Sequence, residues 1–189
     1  MTPRRAAFLD RDGVINAEHG YVHRWADFEF LPGAVEAMRR LHEAGWLIVV
    51  ITNQSGIARG MYTEADYQAL TRQMRGHLAG LGVPVAGVYH CPHHPGGSVA
   101  ALSIDCDCRK PRPGLLLRAA HELGLSLPDS FMVGDKGSDA EAARAAGVGR
   151  VLLVESGHAL PAGAAALADS VHPDLAQAIG HLLGAAVSS

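Results

Sequence analysis

The chain has 189 residues, of which 48% are hydrophobic and 19% charged, and its formal net charge is -3. This composition is typical of a globular protein with one substantial core, and the small negative charge argues against binding to nucleic acid or to an anionic membrane surface. The longest strictly apolar run, residues 46–51, is too short to span a bilayer, and Asp10 interrupts any signal-peptide core. Three cysteines argue against a disulfide framework. We therefore expect a cytoplasmic protein with one domain over residues 1–189, and a monomer, because no exposed apolar stripe stands out.

The first predicted element is a short buried strand at residues 6–9, which runs directly into Asp10-Arg11-Asp12-Gly13. It is apolar on both faces, as are strands buried inside a parallel sheet. Open α/β sheets bind their ligands at the carboxyl ends of such strands, and Gly13 allows a sharp turn there. Asp10 and Asp12 are therefore expected to lie close enough to share a divalent cation, although Asp and Gly are also ordinary turn residues.

Residues 14–31 show no clean periodicity and are predicted to form a loop or flap. Pro32 is predicted to begin a helix that ends at about Ala44, before a buried strand at residues 46–51. The order strand, helix, strand indicates a parallel α/β sheet. The polar run that follows the second strand can present hydroxyl and backbone N–H groups to an anion, although a plain polar loop has the same composition. This run is Thr52-Asn53-Gln54-Ser55-Gly56.

Thr63 and Asp66 have the spacing of a capping box, which predicts a helix from there to about Gly80. The apolar face of this helix is predicted to be core, and it consists of Tyr67, Leu70, Met74, Leu78 and Leu81. A third strand is predicted at residues 85–89.

All three cysteines lie in one predicted loop at about residues 91–108, in Cys91-Pro92-His93-His94 and Cys106-Asp107-Cys108. Three thiols and one imidazole suit a tetrahedral structural zinc site, and zinc would order a loop of this length. The paired spacing favours His93 over His94 as the fourth ligand, with His94 as the alternative. The alternative is three ordinary cysteines with turn histidines.

Arg109 and Lys110 follow the last cysteine, where they are either anion-binding cations or a solvated basic pair. A helix is predicted from Pro113 to about Leu123.

A fourth strand at residues 131–133 runs into Gly134-Asp135-Lys136. Ser138 and Glu141 predict a capping box for a helix at 139–146, which explains Asp139 as a first-turn acid, whereas Asp135 has no such structural explanation. A fifth strand is predicted at 150–154, and a last helix after Pro173 packs Leu175, Ile179 and Leu182 inward. The Ala-rich residues 158–170 contain no functional motif.

The predicted fold is an α/β fold with an open, mainly parallel, Rossmann-like sheet, helices on both faces and no insert long enough for a large cap domain. Polar side chains follow the strands at Asp10, Asp12, Thr52 and Asp135, with Lys110 just ahead of a helix, and on such a sheet they converge. Two carboxylates can bind Mg²⁺, and a carboxylate beside that ion can attack phosphorus. Thr and Lys can stabilise the equatorial oxygens of a transferring phosphoryl group.

The order Asp-x-Asp-Gly, Thr, Lys and Gly-Asp-x-x-x-Asp resembles the haloacid-dehalogenase superfamily of phosphatases. The cysteine motifs, together with residues 10–16, Gly20-Tyr21 and residues 52–56, are similar to those of its heptose bisphosphate 7-phosphatase family. The resemblance covers about residues 6–157. Histidinol-phosphate phosphatases share the cysteine loop.

The resemblance implies specific roles. Asp10 would be the nucleophile, Asp12 the general acid and then base, and Thr52 and Lys110 would stabilise the phosphoryl group. Mg²⁺ would be held by Asp10, the Asp12 backbone carbonyl and Asp135, and structural Zn²⁺ by Cys91, His93, Cys106 and Cys108. The implied substrate-binding residues are Glu18, His19, Gly20, Tyr21, Thr52, Asn53, Gln54, Ser55, Arg109, Lys110 and Lys136.

The resemblance also implies a small sugar phosphate as substrate. The reaction would be Mg²⁺-dependent removal of the C7 phosphate of D-glycero-D-manno-heptose 1,7-bisphosphate through an aspartyl-phosphate. The product, heptose 1-phosphate, would supply nucleotide-activated heptose for the lipopolysaccharide core. The alternatives are a histidinol-phosphate phosphatase with the same machinery and, from another class, a non-catalytic zinc-binding interaction module.

Overall fold

The computed structural model describes residues 4–187. Six strands form one parallel sheet in the order β3-β2-β1-β4-β5-β6, and every pairing between neighbours is parallel. The strands are β1 (Ala6–Leu9), β2 (Leu47–Asn53), β3 (Val85–Cys91), β4 (Phe131–Gly134), β5 (Arg150–Val154) and β6 (Ser170–His172). The predicted parallel α/β sheet is therefore confirmed.

Helices cover both faces of this sheet. They are α1 (Ala34–Glu43), α2 (Ser55–Ala58), α3 (Glu64–Gly80), α4 (Gly114–Leu123), α5 (Gly137–Ala146) and α6 (Leu175–Val187). Apolar side chains of α1, α3 and α6 pack in one core cluster, and those of α4 and α5 pack in a second cluster on the other face. In the part of the chain that the structure describes, no helix has both the length and the apolar character to cross a membrane.

Strand β1 lies at the centre of the sheet, and all four of its residues are fully buried. Its residues face a helical layer on each side, which explains why both faces of the strand are apolar. Strands β2 and β3 lie on one side of β1, and β4, β5 and β6 lie on the other. This reversal of strand order opens a crevice at the carboxyl ends of β1, β2 and β4.

Several predicted boundaries differ from the structure. Strand β2 continues to Asn53, so Thr52 and Asn53 are its last residues rather than part of a loop, and β3 continues to Cys91. The prediction of Leu81 as core was wrong, because the residue follows the end of α3 and is 40% exposed. The short elements α2 and β6 were not predicted.

The two predicted capping boxes have different outcomes. The box of Thr63 and Asp66 at the start of α3 is confirmed. The box of Ser138 and Glu141 was wrong, because α5 begins two residues earlier, at Gly137.

The flap at residues 14–31 is anchored at its base by aromatic packing. Trp25, Phe28 and Phe30 contact one another with ring centroids 5.0–6.3 Å apart, and His77 of α3 stacks on Phe30 at 5.5 Å. The tip of the flap differs, because Tyr21 is 40% exposed and has a positive φ of 55°. The packed base therefore presents a short exposed tip beside the crevice.

Candidate active site and cysteine–histidine cluster

Lys110 lies at the centre of the crevice. Its Nζ lies 3.0 Å from Asp10 Oδ1 and 2.6 Å from Asp139 Oδ1, and it donates a hydrogen bond to the Ile51 carbonyl at 2.8 Å. These three contacts use all three N–H groups of the ammonium, which is 4% exposed. Burial by itself lowers the pKa of Lys110, but the two carboxylates outweigh burial and raise it. Lys110 is therefore a fixed, fully paired cation beside Asp10.

Asp139 belongs to this site, although the sequence analysis explained it as a first-turn acid of a helix. It is the third residue of α5, so that explanation describes its position but was incomplete. Its Oδ2 accepts the backbone N–H groups of Asp135 and Lys136 at 3.1 Å each, which leaves Oδ1 for Lys110. The available signal was its place in the Gly-Asp-x-x-x-Asp pattern.

Three buried carboxylates, those of Asp10, Asp135 and Asp139, bring oxygen atoms within 4.8 Å of one another. Burial raises the pKa of Asp10 to about 6, against the opposing effect of Lys110. Burial also raises the pKa of Asp135 to about 8, with further contributions from the Asp10 and Asp139 charges. Asp135 Oδ1 is buried without a hydrogen-bond partner among the described residues. A crowded set of carboxylate oxygens with one unsatisfied member fits a hard divalent cation such as Mg²⁺.

His158 was not predicted as a site residue, because no functional motif distinguishes residues 158–170. Its Nδ1 lies 2.8 Å from Asp135 Oδ2, and its side chain is 47% exposed. The loop that follows β5 brings it to the carboxyl end of β4. No local pattern distinguishes such a histidine, because the contact spans 23 residues.

The Asp12 side chain is not part of this group of three carboxylates, although it lines the same recess as Asp10 and Asp139. Its Oδ1 accepts from Arg11 Nη2 at 2.9 Å and from Asn16 Nδ2 at 3.0 Å. Its Oδ2 accepts from Arg11 Nε and from Gln54 Nε2, both at 3.1 Å. Four donors therefore hold the carboxylate of Asp12 in one orientation at the edge of the crevice.

The polar residues at the end of β2 are more buried than predicted. Thr52 is 1% exposed and Gln54 is 2% exposed. The Asn53 amide exchanges two hydrogen bonds of 3.1 Å with the backbone N–H and carbonyl of Lys110. The side chains of Asn53 and Gln54 therefore form hydrogen bonds within the protein while they line the cavity.

A cavity of about 700 Å³ opens above these residues. Tyr62, Ser138 and His158, which were not predicted, line this cavity. Most of the predicted substrate-binding residues line it as well: Glu18, Gly20, Tyr21, Asn53, Gln54, Ser55, Arg109, Lys110 and Lys136. His19 does not line it, because its Nε2 turns to Glu29 Oε2 at 3.3 Å on the exposed flap. A smaller recess of about 50 Å³ contains Asp10, Thr52 and Asp139. The cavity therefore combines an inner recess with a wider, cation-lined outer part.

The four predicted zinc ligands lie together. The Cys108 Sγ atom is 3.2 Å from Cys91 Sγ, 3.4 Å from Cys106 Sγ and 3.4 Å from His93 Nδ1. Four ligands about 2.3 Å from a zinc ion at tetrahedral angles would be separated by about 3.8 Å, so the cluster is close to that arrangement. Cys91, at the end of β3, completes a group that could hold a metal ion.

The structure distinguishes the two neighbouring histidines. His94 Nδ1 accepts the Gly96 backbone N–H at 2.9 Å, and its Nε2 lies 3.1 Å from Arg59 Nη2. Both ring nitrogens are therefore used away from the cysteines. His93 is the imidazole in the cluster, as the spacing favoured.

Several known proteins are similar to this chain. A HAD-hydrolase-like family model matches residues 107–178. The chain is 51% identical over 171 residues to the D-glycero-β-D-manno-heptose-1,7-bisphosphate 7-phosphatase of Yersinia pestis, covering 90% of this chain and 91% of that protein. It is also 51% identical to the enzyme of that name from Escherichia coli K12, covering 90% of each chain.

A solved structure is similar as well. The crystal structure of D,D-heptose 1,7-bisphosphate phosphatase from B. bronchiseptica, complexed with magnesium and phosphate, is 34% identical with a TM-score of 0.80, covering 95% of this chain and 98% of that one. The chain is accordingly a phosphoric monoester hydrolase. Sequence identity of about half over nine-tenths of the chain, together with the shared fold, shows the family: the chain belongs to the D-glycero-β-D-manno-heptose-1,7-bisphosphate 7-phosphatase family of haloacid-dehalogenase-like hydrolases.

Proposed function

We propose that the protein removes the C7 phosphate of D-glycero-β-D-manno-heptose 1,7-bisphosphate and releases heptose 1-phosphate and inorganic phosphate. The observation that supports this most strongly is the recess in which Lys110 pairs with Asp10 beneath a cavity of about 700 Å³. Arg109 lines the wider cavity but not the recess, which supports a role for it in pairing with the phosphate that is not cleaved. The names of the relatives support the heptose substrate and its β anomer.

In this proposal Asp10 attacks phosphorus while the bond to the sugar oxygen breaks. Asp12 donates a proton to that oxygen, so the sugar leaves as an alcohol and Asp10 becomes an aspartyl-phosphate. Asp12 then accepts a proton from the water that hydrolyses the aspartyl-phosphate. Lys110 and Thr52 stabilise the negative charge on the phosphoryl oxygens in both steps.

Asp10, Asp135 and the backbone carbonyl of Asp12 would hold Mg²⁺. The unsatisfied Asp135 oxygen and the raised pKa of Asp135 support a cation there, because a buried group of carboxylates needs positive charge. When bound, Mg²⁺ supplies charge neutralisation for the phosphoryl group. Asp139 is not assigned as a ligand here, since both of its oxygens already have partners in the protein.

Cys91, His93, Cys106 and Cys108 would hold a structural Zn²⁺. The segment that carries the last two cysteines leads directly to Arg109 and Lys110. Zinc would therefore fix the course of the chain immediately before two residues of the active site. We further propose a cytoplasmic, monomeric enzyme whose product enters nucleotide-activated heptose synthesis for the lipopolysaccharide core.

The direct test is phosphate release from both anomers of heptose 1,7-bisphosphate and from histidinol phosphate, with and without Mg²⁺. Fast, Mg²⁺-dependent turnover of the β-bisphosphate is the expected result. Faster turnover of histidinol phosphate would retain the proposed chemistry and overturn the substrate assignment. Equal turnover without Mg²⁺ would contradict the assigned metal site.

A further inference from the structure

Gln54 follows β2 directly and forms part of the cavity wall, but it exposes almost no surface. The residue is 2% exposed. Its backbone N–H donates to the Cys91 carbonyl at 2.8 Å, which ties it to the end of β3. Residue 54 is therefore held by the sheet rather than by a mobile loop.

The side-chain amide of Gln54 uses its polar atoms within the protein. Its Nε2 donates to Asp12 Oδ2 at 3.1 Å and to Thr52 Oγ1 at 2.9 Å, and its Oε1 accepts from the Tyr62 hydroxyl at 2.5 Å. A primary amide has two N–H donors, so neither is left for a sugar hydroxyl. The two residues joined by Nε2 are those to which we assign proton transfer and phosphoryl stabilisation.

The other donors to Asp12 come from its own turn. Arg11 and Asn16 lie in the segment that leaves β1, so they cannot fix Asp12 relative to the neighbouring strand. Among the described residues, Gln54 is the donor that reaches Asp12 from the segment directly after β2. It therefore sets the position of the Asp12 carboxyl group relative to Thr52.

We propose that Gln54 is a positioning residue that holds the Asp12 carboxyl group beside Thr52, and that it does not bind the sugar. The proposal depends on the role given to Asp12 in the proposed function. Loss of the contact should slow reactions that need a proton on the leaving oxygen. A 4-nitrophenolate leaving group departs without that proton, so 4-nitrophenyl phosphate is a matched probe that does not need Asp12 as an acid.

The experiment uses Gln54→Met and Gln54→Leu, which replace the amide by apolar side chains of two shapes and so remove the donors to Asp12 and Thr52 without adding a charge. The control is Gln68→Met, because Gln68 bonds Glu64 at 2.8 Å on the exposed side of α3. Rapid-quench measurement follows release of the leaving group, heptose 1-phosphate or 4-nitrophenolate, in the first turnover, before hydrolysis of the aspartyl-phosphate. We expect both Gln54 variants to slow the sugar reaction by about 10²-fold, with KM and the 4-nitrophenyl phosphate rate within about threefold of wild type.

Other results would overturn the proposal. A raised KM with an unchanged first turnover would show that Gln54 binds the sugar. An equal loss with both substrates, or failure of both Gln54 variants to fold, would assign it a structural role only.

The wild-type protein separates this proposal from the proposed function. If it hydrolyses histidinol phosphate but not heptose bisphosphate, the substrate assignment fails. The Gln54 variants are then compared with wild type on histidinol phosphate and 4-nitrophenyl phosphate. If it hydrolyses no alkyl phosphate, both proposals fail.

Discussion

Lys110→Met removes the cation that two buried carboxylates share. At an effective dielectric constant of about 20, single charges separated by 3.0 Å and 2.6 Å attract by about 5–6 kcal/mol each. The cost of burying the ammonium offsets much of this attraction, and loss of one partner from a buried ion pair costs roughly 3–5 kcal/mol. We therefore expect the free energy of unfolding in Mg²⁺-free buffer at pH 8 to fall by roughly 3–5 kcal/mol. For a chain of this length that corresponds to a fall in Tm of roughly 6–20 °C.

The loss of unfolding free energy in Lys110→Met should increase with pH. Burial already raises the pKa of Asp10 to about 6, and Lys110 is the strongest neighbour that opposes this rise. Without Lys110 the pKa of Asp10 increases further, so the carboxyl group becomes protonated and neutral over a wider range of pH. A group whose folded pKa is raised stabilises the fold at low pH and loses that contribution as pH rises through the folded pKa. The difference between variant and wild type should therefore grow above about pH 6.

The assay is urea unfolding at pH 5 and pH 8, with zinc retained and no chelator added. The control is Arg72→Met, because Arg72 is an exposed cation on α3 and does not line the crevice. Its free energy of unfolding should change by no more than about 0.5 kcal/mol. The kcat of Lys110→Met should fall by at least roughly 10²-fold, through loss of charge stabilisation. A variant as stable as wild type at pH 8, or one that loses more stability at pH 5 than at pH 8, would contradict this prediction.

Three further predictions concern the nucleophile and the metals. Asp10→Asn should reduce phosphate release by more than roughly 10⁴-fold and leave the Tm in Mg²⁺-free buffer near or above that of wild type; substantial residual turnover would exclude Asp10 as nucleophile. Cys106→Ser should lose bound zinc, measured by elemental analysis, and its Tm should fall; a variant with full activity and stability would show that zinc has no structural role. The raised pKa of Asp135, about 8, predicts that the Mg²⁺-free protein loses stability between about pH 4 and 8, and that added Mg²⁺ restores more of it at pH 8 than at pH 5. Asp135→Asn should weaken both the pH dependence of stability and the pH dependence of the Mg²⁺ effect. A wild-type protein whose Tm responds equally to Mg²⁺ at pH 5 and pH 8 would contradict the assignment of Asp135 as a Mg²⁺ ligand.

Much of the site could be predicted because it is built from strand ends. Parallel strands place their carboxyl ends at one edge, so Asp10, Thr52 and Asp135 converge once three local strand patterns are recognised. The cysteine–histidine cluster was predictable for a different reason, since thiols with paired spacing are rare without a metal. Both predictions depend on residue type and short spacing, which a single sequence shows directly.

The departures involve contacts between residues distant in the chain. Asp139 is an ordinary first-turn acid by its local pattern, and its pairing with Lys110 arises only because α5 and the segment before α4 meet beneath the crevice. Asn53 and Gln54 have the composition of an exposed anion-binding loop. The extension of β2 turns their amides inward to Lys110 and Asp12.

The parallel α/β fold, the strand-end carboxylates and the cysteine–histidine cluster follow from the sequence, because apolar periodicity and ligand spacing are local properties of the chain. Which polar groups face one another depends on the tertiary fold: Lys110 faces Asp10 and Asp139, His158 faces Asp135, His93 rather than His94 faces the thiols, and Gln54 faces Asp12. A buried polar group must find its partner wherever packing places one. That partner depends on how helices and strands distant in sequence are brought together, which no local pattern records.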